Sequence, residues 1–330
     1  ERIGDRWWSA TVLEQLGSAA WTRNDLEQTR HYFQRSLAIR REIGDTAGTA
    51  SLLVSLAALA GFDGGQVDEA VELYRESGRL YAALGGRTGE LSSLYALQAA
   101  ERLQGRFTEA LRIVQRQLAI VAELGDTQAL VDLHMTQGEI LQLMGRYEMA
   151  EAEHRRNIAR VEASGWAAPE TWIRFVFAAA LLGRENHQEA RQVLQPSLAA
   201  LEQSRGMSML GRSLAGTSRA ELGLGDVDAA WQHARRALEL LSGRHYFWLL
   251  EAIATAAAVL AARGEAEQAV ELYALVMRHP YAANSPWFED VYGRVVAQAA
   301  MTLDPAVIAA AQARGQSLDL WQAARDLVMP

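Results

Sequence analysis

The chain contains no cysteine and no lysine, and only 6 of its 330 residues are proline. Without cysteine there are no disulfides, no thiol catalysis and no cysteine-ligated zinc or iron–sulfur site. Without lysine there is no standard phosphate-binding loop, which needs a lysine on the phosphates, and no Schiff-base chemistry. Scarce proline beside abundant alanine and leucine favours helices throughout. Half of the residues are hydrophobic, yet no apolar run approaches the length needed to span a bilayer, so no membrane contact is expected. The opening "ERIGDRWWSA" lacks the basic-then-apolar pattern of a secretory signal, and a cytoplasmic location is the expectation. It also lacks an initiator methionine, from which we expect a piece of a longer protein. A net charge of −8 disfavours direct nucleic-acid binding.

What the chain does contain is a repeated six-residue phrase. It reads "NDLEQT" from Asn24, "GQVDEA" from Gly65, "GRFTEA" from Gly105 and "GRYEMA" from Gly145. It continues as "ENHQEA" from Glu185, "GDVDAA" from Gly225 and "GEAEQA" from Gly264, at intervals of 39 to 41 residues. Such a phrase suits a tight turn between antiparallel helices. Its first residue takes positive φ and ends one helix. The third is usually apolar and folds over the turn. The sixth, Ala70, Ala110, Ala150, Ala190, Ala230 or Ala269, lets the second helix approach closely.

A second glycine ladder, Gly44, Gly85, Gly125, Gly165, Gly206 and Gly243, lies between these turns, with Asp45 and Asp126 placed to cap the following helix. Two turns per unit leave two helices of roughly 16–18 residues, each about 25 Å long. The expected fold is all-α: a right-handed superhelical solenoid of about seven antiparallel hairpins over residues 1–280, each burying its apolar face on the next. Residues 281–330 leave the period. Ser285-Pro286 and Asp304-Pro305 read as capped helix starts, and the segment is expected to form a C-terminal helical cap.

The phrase Gly-x-aromatic-x-x-Ala at the hairpin turn resembles the tetratricopeptide repeat, in its long-helix variety because the period exceeds that family's usual 34 residues. The unit ending "LAIRREIGDTAGTA" strengthens the resemblance, which covers about residues 5–280. The tail phrases "ALVMRHP" and "AQARGQSLDLWQAARDLV" resemble the C-terminal end of bacterial signal-transduction ATPases with numerous domains and LuxR-type transcription regulators. In those proteins a tetratricopeptide array follows a nucleotide-binding module. The resemblance implies a sensor or scaffold domain, with a free-standing interaction scaffold as the alternative. Its implied partners are a protein, peptide or small effector in the concave groove and a nucleotide-binding domain upstream.

No catalytic constellation is present. "GRSLAG" has the wrong spacing for a nucleophile elbow, "GLGDVD" lacks the third glycine of a dinucleotide fingerprint, and no two histidines lie three or four apart. We therefore expect no enzymatic activity, no cofactor and no metal. In a helical solenoid, ligands usually sit on the concave face, which the resemblance places on the first helix of each unit. Counting back from each turn, the candidate groove residues are Tyr95, Arg102, Asp132, Met135, Glu139, Trp172, Phe175, Arg212 and Arg219. Aromatics beside arginines suit a binding hot spot. Trp7 and Trp8 in the first helix are candidates for contact with an upstream domain. The pairs Arg40-Arg41, Arg155-Arg156 and Arg235-Arg236 fall on second helices and are expected to be solvated.

Overall fold

The computed structural model describes residues 3–23, 25–63, 65–164, 170–204, 207–243 and 246–328. Among these residues every regular element is a helix. Contacts divide the chain into two compact units, Glu1–Leu124 and Gly125–Pro330. Unit 1 holds α1 (Ile3–Thr22), α2 (Leu26–Glu42), α3 (Thr46–Ala58), α4 (Val67–Leu84), α5 (Gly86–Leu103) and α6 (Phe107–Leu124). Unit 2 begins with α7 (Thr127–Leu143), α8 (Tyr147–Ser164), α9 (Glu170–Gly183) and α10 (His187–Ser204). It continues with α11 (Met207–Gly223), α12 (Val227–Leu241), α13 (Tyr246–Ala262) and α14 (Ala266–Met277). Five short elements end it: α15 (Pro280–Ala283), α16 (Pro286–Phe288), α17 (Arg294–Ala300), α18 (Pro305–Ser317) and α19 (Leu320–Val328).

The hairpins form where the repeated phrase lies. Gly65, Gly105, Gly145, Gly225 and Gly264 all have positive φ, and Glu185, at φ 59°, adopts the same conformation without glycine's freedom. Asn24, Gly165 and Gly206 lie outside the described residues. The sixth-position alanines Ala70, Ala110, Ala150, Ala190, Ala230 and Ala269 are fully buried. Asp45 and Asp126 cap their helices by accepting the Gly48 and Ala129 N–H at 2.9 and 3.0 Å. Interval 24–65 is one residue longer than its neighbours because α3 ends in a π-helical turn, Leu59–Asp63, which absorbs an extra residue.

A further ladder was not read from the sequence. Ser36, Ser77 and Asn157 are buried on second helices, and each donates to a backbone carbonyl of the preceding first helix: Ala10, Ala50 and Val131, at 2.8, 2.8 and 3.0 Å. These bonds fix the pitch of each second helix on its first, since a buried hydroxyl or amide left unpaired is costly. One expectation fails beside it. Arg40 is buried, held by Glu14 at 2.6 Å and by the capping Asp45, because α2 turns it toward α1.

The tail is helical as expected, but Ser285 and Asp304 make no side-chain cap bond. Ser285 Oγ instead donates to the Leu143 carbonyl at 2.8 Å, 142 residues earlier in the chain. Helices α17 and α18 pack on α14, and α19 on α12, covering the last hairpins. Ser285–Gly293 does something else.

Candidate functional site

The segment Ser285–Gly293 runs across the first helices of unit 2. Ser285 is bonded to the end of α7, and the Trp287 indole N–H donates to the Ala179 carbonyl of α9 at 3.3 Å. Arg219 of α11 donates from Nε to the Val291 carbonyl at 2.6 Å. The Tyr147 hydroxyl donates to Asp290 Oδ2 at 2.6 Å, and the Tyr292 hydroxyl is bonded to Thr255 of α13. Trp287, Phe288, Val291 and Tyr292 are buried. The small residues Ala178, Ala179, Ala215 and Gly216 make room for Trp287 and Tyr292, and only about 10 Å³ of free space remains among them. The chain supplies its own occupant for this face.

Beneath that segment lies a buried charge cluster. Arg212 on α11 is 3% exposed and donates from Nη2 to Glu139 Oε1 of α7 at 2.9 Å, with Glu251 of α13 at 3.5 Å. Its guanidinium carbon sits 4.0 Å from the Phe175 ring centroid, 5.2 Å from Trp172 and 5.3 Å from Trp248. Burial alone would favour the neutral form. The two carboxylates reverse that and hold Arg212 protonated. Four first helices, α7, α9, α11 and α13, thus meet at one cation. The arrangement is a cross-brace, with every ring and carboxylate already in use.

The candidate groove residues therefore divide. Glu139, Phe175, Arg212 and Arg219 are buried under Ser285–Gly293 or within the brace. Met135 belongs to a core cluster with Val131, Val161 and Ile173, against which half-buried Trp172 packs. Asp132 stays at the surface, its carboxyl pKa raised by desolvation and by the Asp126 charge. In unit 1, Tyr95 is 51% exposed on α5 with half-buried Arg102 two turns further along. Both interact electrostatically with Tyr74 of α4, whose buried hydroxyl has no hydrogen-bond partner and whose pKa is pushed up by burial. Gln98 is buried on the same helix face, its Nε2 also unpartnered. Trp7 and Trp8 are exposed and stack edge to face at 5.0 Å.

Glu251, Trp248 and the aromatic segment were missed as site residues. The signals were there: Glu251 is the single charge in the apolar "YFWLLEAIATAAAVLAA", and "SPWFEDVY" packs three aromatics into eight residues of a tail.

Residues 8–83 match the family model of the tetratricopeptide repeat. No curated protein matches the chain in sequence. Among solved structures, a Rap protein complexed with competence and sporulation factor is similar, with a TM-score of 0.63 at 15% identity, covering 96% of this chain and 89% of that one. Aspartyl phosphate phosphatase F from Bacillus subtilis follows at 0.58 and 13% identity, covering 71% of this chain and 60% of that one. A signal-transduction ATPase with numerous domains, carrying a tetratricopeptide-repeat sensor, from Pyrococcus horikoshii, gives 0.52 at 14% identity. That match covers 93% of this chain but 44% of the longer protein. At these identities the likeness is one of fold: the chain is a tetratricopeptide-like stack of helix hairpins. Among the described residues, no helix is long and apolar enough to cross a membrane.

Proposed function

We propose that this chain is a non-enzymatic binding domain, the cytoplasmic sensor of a bacterial multidomain signalling ATPase or transcription regulator. It takes a protein, peptide or small effector on first-helix surface and passes the event to an upstream nucleotide-binding domain through Trp7 and Trp8. The observation that carries this reading is the contrast between two faces. In unit 2 the chain's own Ser285–Gly293 fills the first-helix face. In unit 1, α5 presents Tyr95 to solvent on the face that also carries Arg102. An exposed aromatic and a guanidinium two turns apart on one helix face, both interacting with Tyr74, whose hydroxyl is unsatisfied like the Gln98 amide nitrogen, make the composition of a binding hot spot. We take Tyr95 and Arg102 as the receptive surface of unit 1, with Asp132 as the exposed candidate of unit 2. Residues 1–280 act as the binding array and 281–330 as the segment that closes and fills it.

A free-standing scaffold is the second reading. The Rap likeness favours it, because that match spans most of the other chain while the signalling-ATPase match spans less than half. The test is affinity capture with the intact chain. Tyr95→Ala combined with Arg102→Glu is expected to abolish capture of the partner retained by the native chain, and undiminished capture would refute the site. A reading frame that runs upstream of Glu1 into a nucleotide-binding module selects the first reading, and its absence selects the second.

A further inference from the structure

We infer that the exposed face of the α1–α2 hairpin is a stacking surface for one more amphipathic helical hairpin, which sets an apolar ridge on Val12, Leu16 and Ile39 and a carboxylate opposite Arg35. The inference refines the Trp7–Trp8 contact proposed above and rests on that contact. It comes from comparing two hairpins of unit 1 in register. The Ser36–Ala10 and Ser77–Ala50 bonds fix that register: first-helix positions are offset by 40 residues and second-helix positions by 41.

At the established interface, Phe33 and Leu37 of the first hairpin form one core with Leu52, Leu53 and Leu56 of the second, and Leu73 and Leu80 pack against it. The equivalents of Leu52 and Leu56 in the first hairpin are Val12 and Leu16. Leu52 is 0% and Leu56 5% exposed, whereas Val12 is 51% and Leu16 44% exposed. Tyr32 and Ile39, equivalent to Leu73 and Leu80, are half-buried. The position that accepts the bond within each hairpin behaves alike in both: Ala10 and Ala50 are buried. The face is therefore built as an interface and left uncovered. A groove of about 530 Å³ runs along it, lined by Trp8, Val12, Ile39 and Arg35 among others.

Charge identifies the occupant more closely. Across the established interface Arg41 donates to Glu76 at 2.6 Å and Arg30 to Glu69 at 2.8 Å. The position equivalent to Glu76 is Arg35, which is exposed and paired with no carboxylate among the described residues. A hairpin stacking here needs an acidic residue where the first hairpin uses Arg41. A second copy of this chain is not the natural occupant, because the ridge that would fit, Phe33 and Leu37, is already buried against its own second hairpin.

The probe is a synthetic peptide of residues 5–45, made with the native sequence and with Arg41→Glu. Fluorescence anisotropy with the intact chain is expected to show saturable binding of the Arg41→Glu probe, about fivefold tighter than the native probe. Arg35→Glu in the chain reverses the preference, and Val12→Asp abolishes both. The same Arg41→Glu hairpin fused ahead of Glu1 covers the case of a free peptide that does not fold. The fusion is expected to raise Tm and protect Trp8 from hydroxyl-radical oxidation. No binding together with no rise in Tm overturns the inference, as does self-association of the native chain that Val12→Asp abolishes. If a captured upstream domain is released by Trp8→Asp but not by Arg35→Glu, and neither probe binds, the stacking inference falls while the tryptophan contact stands.

Discussion

Replacing Arg212 by methionine removes a charge from the middle of unit 2 and keeps most of its aliphatic length. Glu139 and Glu251 are 6% and 4% exposed, so the variant strands two carboxylates that water does not reach. Breaking a buried ion pair by deleting one partner costs about 3–5 kcal/mol. Losing a cation from among three aromatic rings adds about 1 kcal/mol. For a unit of this size each kcal/mol moves Tm by roughly 2–4 °C, so Arg212→Met is expected to lower the melting of unit 2 by about 10 °C or more. Thermal unfolding followed by circular dichroism reads this directly. Adding Glu139→Gln and Glu251→Gln removes the unpaired charge and is expected to restore more than half of the loss. A fall of under about 1 kcal/mol in the single variant would mean that solvent or another cation reaches the carboxylates. Failure of the glutamines to rescue would mean that packing, not charge, holds the brace. Either result refutes the reasoning.

The remaining predictions concern the packing around that brace. A Cβ on Gly138 would lie 2.3 Å from the His154 ring, so Gly138→Ala is expected to cost about 1–3 kcal/mol in thermal unfolding, and much less in a His154→Ala background. Burial pushes the His154 imidazole down to about 4 against an ordinary 6.5, with Glu139 and Glu153 opposing weakly, and neither ring nitrogen has a hydrogen-bond partner. The unfolded chain then binds the extra proton first. The contribution is complete above pH 6.5 and is lost as pH falls from 6.5 through 4, roughly 3 kcal/mol in all. His154→Leu should flatten the stability–pH curve in that window. Tyr147→Phe deletes the bond to Asp290 and is expected to cost about 1–2 kcal/mol in urea unfolding, with no effect in an Asp290→Asn background beyond that substitution's own.

The hairpins were legible because their signals are local and repeated. A glycine at positive φ, an aspartate three residues before its N–H partner and an alanine under the turn each act within one helix turn, and the 40-residue period multiplies them. Glu185 shows the limit: the turn forms at positive φ without glycine, with the Glu185 and Asn186 N–H groups bonded to the Leu182 and Leu181 carbonyls. The candidate site was half legible. Inward positions were chosen by counting back from each turn, and the count did select Glu139, Phe175, Arg212 and Arg219, which the fold brings to one face. It could not show that the face is filled, since Ser285 and Leu143 meet across 142 residues of chain and nothing local announces it. Glu251 did carry a local signal, a single charge in an apolar helix, but its partner Arg212 lies on another hairpin and could not be read with it.

The central claim is that Ser285–Gly293 fills the first-helix face of unit 2. Amide hydrogen exchange of the intact chain tests it most directly, because the fill requires this segment to open only with the helices beneath it. The expected result is protection across 287–293 equal to that of α9 and α13. Exchange there at the rate of an exposed loop, with α9 and α13 still protected, would contradict the account.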